Sequence, residues 1–345
     1  MSEPMDALIS EIFGKKIAGL FAPLVAPRTD NVFDRLFRGH KRQLARSVLE
    51  VINRLEEFWP LSLRQAYYQC VAGLLVPNNV ASYRQIMDIC KRLRIEEILP
   101  WRAMEDRGRR TSDKRGLSGL EEFLRENLEP ALNWRYYHRC HLKGQSNYVE
   151  VSVEKDALYP LVEEACWLLC TRVTSVKGQC SVTTVERMAS RFDAAMQRGQ
   201  TPILLHYGDL DPTGVQIPLS LKKAFLEVHA LDVEVVQCAL TPEQVVEYRL
   251  PQDVDPEDKS EDPNYQRWQE RFPGQTPTEL DALHPKILQE LVKSDVLDCY
   301  DESLMDEQKE QEQEDDEVLK LMRRSMLGHL RAKFPEQMSS LADLR

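Results

Sequence analysis

The sequence lacks a long apolar run. Its two longest stretches without a charged residue, Ile17 to Pro27 and Gln65 to Tyr83, are both interrupted by proline or polar residues. A membrane-spanning helix needs roughly 18 to 20 apolar residues in succession. Glu3 and Asp6 stand where a secretory signal peptide would carry basic residues. We therefore expect no membrane partner and a cytoplasmic location.

Paired cysteines and nucleotide-binding motifs are also missing. The eight cysteines include no Cys-x-x-Cys pair, which argues against a zinc ribbon and against a disulfide framework. His138, Cys140 and His141 are possible metal ligands, but no second cluster follows at ligand spacing, so a surface or packing role is favoured over zinc. Neither a P-loop nor a glycine-rich ATPase signature is present, so any ATP-driven step requires a separate subunit.

Charge is unevenly distributed along the 345 residues. Residues 1–150 contain 24 Lys and Arg against 19 Asp and Glu, whereas residues 151–345 contain 21 against 37, and the whole chain carries a net charge of -11. The basic front half suggests a surface that faces a polyanion. The acidic back half suggests metal-binding carboxylates or a solvated segment, so overall acidity does not exclude a nucleic-acid partner.

The front half predicts a winged helix-turn-helix. Pro60 ends a helical pattern, and Ser62 then opens a new helix, since Ser62-Leu-Arg-Gln65 fits a capping box. The same signature at Ser82-Tyr-Arg-Gln85 predicts a second helix that begins there, and Ile95 to Trp101 is expected to be extended.

Basic side chains on and after the second helix are candidates for binding DNA phosphates. They are Arg84, Lys91, Arg92 and Arg94 on the helix, and Arg107, Arg109 and Arg110 in the hydrophilic stretch that follows. Guanidinium groups match phosphates well. The alternative for both sets is ordinary solvation.

From residue 147 onward the pattern predicts an α/β domain. Four short apolar stretches, near residues 149–154, 172–176, 202–207 and 233–238, alternate with helical patterns. Such alternation predicts a four-stranded parallel sheet with crossover helices. Beyond it we expect a helix over 278–296 and, over the acidic run 301–317, a solvated helix or flexible piece rather than a metal site. A last amphipathic helix is expected over 318–334, which packs on the core or on a second chain.

Acidic residues follow two of these strands. Glu154 ends the first, and the sequence Gly208-Asp-Leu-Asp-Pro-Thr-Gly214 follows the third. Ligands bind at the carboxyl ends of parallel strands, and oxygen-only donors suit Mg²⁺. Glu154, Asp209 and Asp211 are therefore candidate Mg²⁺ ligands. The alternative is that Asp-Pro-x-Gly is only a turn and that Glu154 only caps a helix.

These residues resemble a known layout. A Glu after one strand, a Gly-containing loop at 177–180 and Asp-x-Asp after a later strand are similar to the Toprim domain of topoisomerases, primases and some nucleases. Leu63-Arg-Gln-Ala-Tyr-Tyr68 resembles the catalytic segment of the topoisomerase VI A subunit and of its meiotic double-strand-break relatives. Thr278-Glu-Leu-Asp-Ala-Leu283 also resembles that family, so the likeness covers about residues 45–300. As a compact chain with this domain plan, the sequence is similar to the stand-alone Mini-A group of topoisomerase VI A-like proteins from phages and mobile elements.

The resemblance implies a function and a set of roles. Tyr68 is expected to attack DNA and form a 5′-phosphotyrosyl link, with help from Arg64, which lies one helical turn away on the same face. Mg²⁺ is the implied cofactor and double-stranded DNA the implied partner in the nucleoid. A homodimer is implied because in the family the tyrosine of one chain acts at the metal site of the other. The alternatives are a hydrolytic Toprim nuclease of the defence type and an inactive DNA-binding protein.

The resulting domain plan has five segments. They are a helical extension at 1–44, a winged-helix domain at 45–105, a basic linker with a connecting helix at 106–146, a Toprim-like domain at 147–250, and a loop with a C-terminal helical region at 251–345.

Overall fold

The computed structural model describes residue 33 and residues 35–105, 118–128, 137–178, 180–251 and 263–339. Most of the predicted N-terminal extension lies outside these residues. So do Arg107, Arg109 and Arg110, the three arginines predicted to bind DNA from the linker.

Three helices form the first part of the described chain. Helix α1 spans His40–Arg54, α2 spans Leu63–Ala72 and α3 spans Val80–Ile95, and each packs against the other two. The capping box at the start of α2 is confirmed: the Ser62 hydroxyl accepts from Gln65 N, and the Gln65 side chain accepts from Ser62 N. Such a cap contributes about 1 kcal/mol and fixes where the helix that carries Arg64 and Tyr68 begins.

Two local predictions in this region are wrong. Helix α3 begins at Val80 rather than at Ser82, because the Asn79 side chain accepts from Ser82 N and caps the helix three residues earlier. The stretch from Ile95 to Trp101 is not extended: α3 runs to Ile95, and a 3-10 turn covers Trp101–Ala103. Within the described residues up to 105, the only strand-like pairing is an isolated bridge between Leu61 and Met104.

The predicted four-stranded parallel sheet is confirmed. Its strands are β1 Asn147–Val153, β2 Arg172–Ser175, β3 Thr201–Tyr207 and β4 Glu234–Ala239. All neighbours are parallel, in the order β2-β1-β3-β4. The chain is therefore of the α/β class. Since β1 and β3 are the central strands, their carboxyl ends lie side by side, with Val153 paired to Tyr207.

Helices cover both faces of this sheet. A short helix, α4 at Leu120–Phe123, continues into a π-helical turn at Leu124–Leu128. The crossover helices are α5 Tyr159–Trp167, α6 Val182–Gln197 and α7 Gln216–His229. Helix α5 begins at Tyr159, with Pro160 in its first turn.

Alternation along the strands separates two hydrophobic cores. Val149, Val151 and Val153 of β1 belong to a core that also contains the buried faces of α1, α2 and α3. On the opposite face Leu204 packs with Phe192 of α6 and with α7 in a second core. The three-helix unit and one face of the sheet are thus held by one continuous apolar interior.

The C-terminal part differs from its prediction at the start of one helix. Its helices are α8 Pro242–Glu247, α9 Pro263–Arg271, α10 Pro285–Leu297, α11 Glu302–Lys333 and α12 Pro335–Ser339. The helix expected over 278–296 begins only at Pro285, because Thr278 forms a β-bridge with Leu210 and a 3-10 turn covers Leu280–Ala282. The acidic run and the last amphipathic pattern are a single helix of 32 residues, α11.

Core packing along the whole apolar stripe of α11 is not found. Leu327 is buried in a small cluster with Met338, whereas Met322 and Met326 are exposed. Among the described residues, none of the helices combines the length and the apolar character needed to cross a bilayer.

Candidate active site

Glu154 meets the Gly208–Gly214 loop at the carboxyl ends of β1 and β3. The Glu154 amide continues the ladder by donating to Tyr207 O at 2.9 Å, and its carboxylate Oε2 accepts from Asp209 N at 2.9 Å. The sheet therefore brings two of the three predicted acids together. The strand register alone accounts for this, since Val153 and Tyr207 are partners.

Two glycines allow this close approach. A Cβ on Gly208 would lie 2.9 Å from Glu154 Oε2 and 2.7 Å from His206 Nε2, and a Cβ on Gly214 would lie 2.3 Å from the Asp209 carbonyl oxygen. All three contacts are too short to be sterically acceptable. The glycines thus leave space for the Glu154 carboxylate, which is a reason for their spacing around Asp209 and Asp211.

The predicted acids are near one another but do not converge on one point. Asp209 Oδ1 accepts from Leu280 N at 2.7 Å, whereas Asp211 Oδ1 accepts from Thr213 N and Gly214 N at 2.8 and 2.6 Å. Within the described residues, ligand oxygens from Glu154, Asp209 and Asp211 do not all lie within 4.8 Å of one another. Binding one ion to all three requires their side chains to turn inward.

A lysine and two further acids complete the site, and the sequence interpretation did not assign them a role. Lys155 Nζ lies 3.0 Å from Asp209 Oδ1, 2.8 Å from Glu279 Oε2 and 3.0 Å from Asp281 Oδ2. Asp281 is 1% exposed, and its Oδ1 is buried without a hydrogen-bond partner in the described structure. The sequence signal was the second acid-x-acid pattern, Glu279-Leu-Asp281, which repeats that of Asp209 and Asp211.

Burial and crowding of like charges shift the pKa values in this group. Burial raises the pKa of Asp209 to about 7; the Lys155 ammonium opposes that rise and the Glu154 carboxylate adds to it. Burial also raises the pKa of Glu154, and the nearby Asp211 carboxylate raises it further. Lys155 behaves in the opposite way: burial alone would lower its pKa, but Asp281, Asp209 and Glu279 hold it above the usual value. Additional positive charge would relieve the repulsion among these acids.

The donor chemistry fits Mg²⁺. The three predicted ligands offer only carboxylate oxygens, which a hard divalent ion prefers. Burial is the largest cause of the raised pKa values of Glu154 and Asp209, and a cation bound beside them would favour their ionised forms. Lys155 supplies one positive charge to Asp209, so a divalent ion and this ammonium compensate the same cluster.

We expect the affinity for Mg²⁺ to depend on pH. A ligand carboxyl must lose its proton, and Asp209, with a pKa of about 7, binds a proton increasingly as the pH falls below that value. Affinity should therefore be pH-independent well above 7 and fall by up to about tenfold per pH unit below it. Calorimetric titration with MgCl₂ across this range would measure it, with circular dichroism at each pH to verify folding. Equal affinities on both sides of neutrality would contradict the prediction.

Arg64 joins the three-helix unit to the acidic cluster. Its Nη1 lies 3.0 Å from Glu279 Oε2, and its side chain is 53% exposed. Burial works to lower the pKa of Arg64, but Glu279, Asp281, Tyr68 and Asp209 together raise it. Helix α2 is held in this position because it packs on the 3-10 turn at Leu280–Ala282.

Tyr68 lies beside Arg64 but is buried. It is 4% exposed, and its phenol is within electrostatic range of the Arg64 guanidinium. The neighbouring Tyr67 is buried and has a structural role. Its hydroxyl donates to Asn78 Oδ1 at 2.8 Å and accepts from Asn79 N at 2.8 Å, which fixes the turn before α3.

A cleft of about 930 Å³ separates α2 and α3 from the sheet. Arg64, Lys91 and Arg94 line one side of it, and Glu154 and Lys177 line the other.

The four basic residues predicted on α3 are not equivalent. Arg84 and Arg92 do not belong to the cleft lining, and Arg92 pairs with Asp88 at 3.1 Å. Arg94 stacks on Trp101 and donates to the Met104 carbonyl. The cleft thus combines cationic side chains with Glu154 and Asp281 of the acidic cluster, whereas Asp209 and Asp211 are not among its lining residues.

Comparisons with known proteins identify no relative. Models of protein families, curated proteins and solved structures were each compared with the chain, and none of them matches it.

Proposed function

We propose that this protein is a Mg²⁺-dependent DNA-cleaving transesterase of the topoisomerase VI A type, in which the three-helix unit corresponds to a winged-helix domain and the sheet to a Toprim domain. One observation supports it above the others. Arg64, one turn from Tyr68 on α2, reaches Glu279 at the edge of the acidic cluster at 3.0 Å. Two segments far apart in sequence, each resembling the same enzyme family, therefore meet at one cleft.

Tyr68 and Arg64 supply the nucleophilic half of the proposed reaction. A phenol has an ordinary pKa of about 10 and is a poor nucleophile while protonated. The Arg64 guanidinium would stabilise negative charge on the Tyr68 oxygen as its proton passes to a water molecule. The oxygen then forms a bond to the DNA phosphorus while the bond to the 3′ oxygen breaks. The products are a 5′-phosphotyrosyl ester and, once the departing oxygen has taken a proton from water, a free 3′ hydroxyl.

The acidic cluster supplies the electrostatic half. Glu154, Asp209 and Asp211 would hold Mg²⁺, which when bound polarises a phosphoryl oxygen and stabilises the departing oxygen. Lys155 holds Asp209, Glu279 and Asp281 in place. Lys91 and Lys177 on opposite sides of the cleft would bind the DNA backbone.

Hydrolysis of DNA is the second candidate function. It is favoured by the burial of Tyr68, which is 4% exposed and must become accessible before its hydroxyl can reach a phosphate. In that case a water molecule is the nucleophile, and Tyr68 has a packing role beside Tyr67, at 5.2 Å between ring centroids.

A homodimer belongs to the proposal. In the family that the sequence resembles, the tyrosine acts across the dimer. The contact of Arg64 with Glu279 within one chain would then hold helix α2 at the edge of the cleft, and Tyr68 would serve the acidic cluster of the partner chain. Two such sites related by a twofold axis would cut both strands of a duplex. Strand passage driven by ATP would need a separate ATPase subunit.

Cleavage of supercoiled DNA tests the proposed function. The purified protein is incubated with supercoiled plasmid and Mg²⁺, stopped with denaturant and divided into samples with and without protease. Linear DNA that enters a gel only after protease treatment is expected, because protein remains attached to its 5′ ends. Linear DNA that needs no protease would support hydrolysis, and uncut DNA would indicate a binding protein without activity.

We expect Lys91 and Lys177 to contribute to DNA affinity through phosphate contacts. Replacing either by Ala should weaken binding several-fold and reduce the slope of log affinity against log salt by about one. Arg84→Ala is a matched control, since Arg84 lies on the same helix as Lys91 but outside the cleft. Fluorescence anisotropy with a labelled duplex at several salt concentrations measures both quantities. Equal effects of all three substitutions would contradict a role for the cleft.

A further inference from the structure

A second group of metal-ligand side chains lies away from the acidic cluster. His138 and His141 precede β1, and Glu312 lies on α11, more than 170 residues later in the sequence. One donor atom from each of the three lies within 4.8 Å of the other two, the only such group of three or more among the described residues. The sequence did not indicate Glu312 as a ligand, because it is one of many acidic residues in the run over 301–317.

The distances and burial suit a transition-metal site. Glu312 Oε2 lies 2.8 Å from His141 Nε2 and 3.3 Å from His138 Nδ1. Ligand atoms of a tetrahedral zinc ion lie about 3.3 Å apart, because each is about 2.0 Å from the metal. The distance between His141 Nε2 and Glu312 Oε2 would therefore have to lengthen by about half an ångström. The side chains are 17%, 8% and 25% exposed for His138, His141 and Glu312, so the site is shielded but reachable.

Neighbouring groups already orient the three side chains. Cys170 Sγ lies 3.4 Å from Nε2 of His138, the ring nitrogen that faces away from Glu312. The Arg139 amide donates to Glu312 Oε2 at 2.7 Å. Metal-binding histidines and carboxylates usually have such outer partners, which fix the ring orientation and the tautomer. Asp315, one turn from Glu312, binds Tyr137 and Arg139 and so holds the same segment on α11.

We propose that His138, His141 and Glu312 form a zinc site with one open coordination position. Two imidazoles and one carboxylate are a donor set that zinc accepts, and Mg²⁺ disfavours imidazole. A bound ion would link the segment before β1 to helix α11. Nearby, Gln145 and Asp301 exchange hydrogen bonds of 2.8 and 2.9 Å, which already hold the two elements together at the start of α11. The site does not depend on the proposed DNA cleavage.

Metal binding by the full-length protein tests the proposal. After treatment with a chelator and dialysis, the protein is titrated with ZnCl₂ against a chromophoric chelator, and bound zinc is measured by elemental analysis. One equivalent of zinc is expected. His141→Ala and Glu312→Gln should each weaken binding by at least about 100-fold, with circular dichroism to verify folding. Asp315→Asn, which loosens the same segment without removing a donor, should keep its zinc, and so should Asp209→Asn at the acidic cluster.

Two results would overturn the proposal. One is that the wild-type protein binds no stoichiometric zinc, or that neither His141→Ala nor Glu312→Gln weakens zinc binding. The other comes from Co²⁺, whose visible spectrum reports the donor set. We expect the absorption bands of tetrahedral Co²⁺ without a thiolate charge-transfer band, because Cys170 Sγ lies next to Nε2 of His138 and the proposed ligand atom is Nδ1. A thiolate band that disappears in Cys170→Ser would show that the donors are not the ones assigned.

Discussion

Replacement of Tyr68 by Phe should abolish protein-linked DNA and lower cleavage at least about a thousandfold. The substitution removes the only atom that can form the phosphotyrosyl bond, and loss of a nucleophile commonly costs this much or more. The ring remains to fill its site beside Tyr67, so the effect is on chemistry rather than on packing. Gel analysis after denaturant quench, with and without protease, gives both quantities. Undiminished cutting with free 5′ ends would contradict the transesterase proposal.

Tyr67→Phe is the matched control for this variant. Tyr67 has the same ring on the same helix, and its hydroxyl serves the turn at Asn78 and Asn79. We expect Tyr67→Phe to lower stability by about 1 kcal/mol and to keep most of its cleavage activity.

Mixed dimers test whether Tyr68 of one chain acts at the acidic cluster of the other chain. If Tyr68 acts across a twofold dimer, coexpressed Tyr68→Phe and Asp209→Asn chains should restore about a quarter of the active sites. Each mixed dimer then has one intact pair and one doubly defective pair. Tyr68 acting within its own chain would leave no intact pair, and the mixture would remain inactive.

Replacement of Lys155 by Met should destabilise the fold by about 3 to 5 kcal/mol when divalent ions are absent. This is the usual cost when one partner of a buried ion pair is removed and the other charge remains. Here three carboxylates lose one ammonium within 3.0 Å, and Asp281 is 1% exposed. Urea unfolding near pH 7 in the presence of a chelator measures the loss. We expect added Mg²⁺ to recover part of it, because the ion supplies the missing positive charge.

Lys177→Met is the matched control for Lys155→Met. Lys177 pairs with Asp156 at 3.1 Å, but its side chain is 63% exposed, so we expect a change below about 1 kcal/mol. The double variant with Asp281→Asn should also recover stability relative to Lys155→Met alone. Equal stability of the two lysine variants would show that the acidic cluster tolerates the loss of its ammonium, contrary to the expectation.

Patterns with a local physical cause were predicted well from the sequence. The four strands and the helices between them follow from apolar periodicity, and the start of α2 follows from the cap at Ser62. The start of α3 was misplaced because Asn79 and Ser82 are both good cap residues, and sequence alone does not show which one turns its side chain to the helix. The helix over 278–296 was misjudged because pairing of Thr278 with Leu210 is a long-range contact that overrides local propensity.

The site was predicted in part for the same reason. Glu154 and Asp209 are close because they end adjacent parallel strands, a relation that alternation of strands and helices reveals. Lys155, Glu279 and Asp281 were given no role at the site, although residues 278–283 were recognised as similar to the family, because their contacts depend on how residues 278–282 pack against the sheet. Hydrophobic periodicity is a local pattern and does not predict such a long-range contact. The family assignment and the roles of Tyr68 and Arg64 remain predictions.

The shared apolar interior has a consequence for how large movements can occur. Residues of α1, α2 and α3 and one face of the sheet belong to the same buried cluster, so a hinge between these two parts would expose that surface to water. Rupture of such an interface is costly in proportion to its area. For the proposed cleavage of both DNA strands, we therefore expect the two DNA ends to be separated by movement between the two chains of the dimer, while each chain moves as a rigid unit.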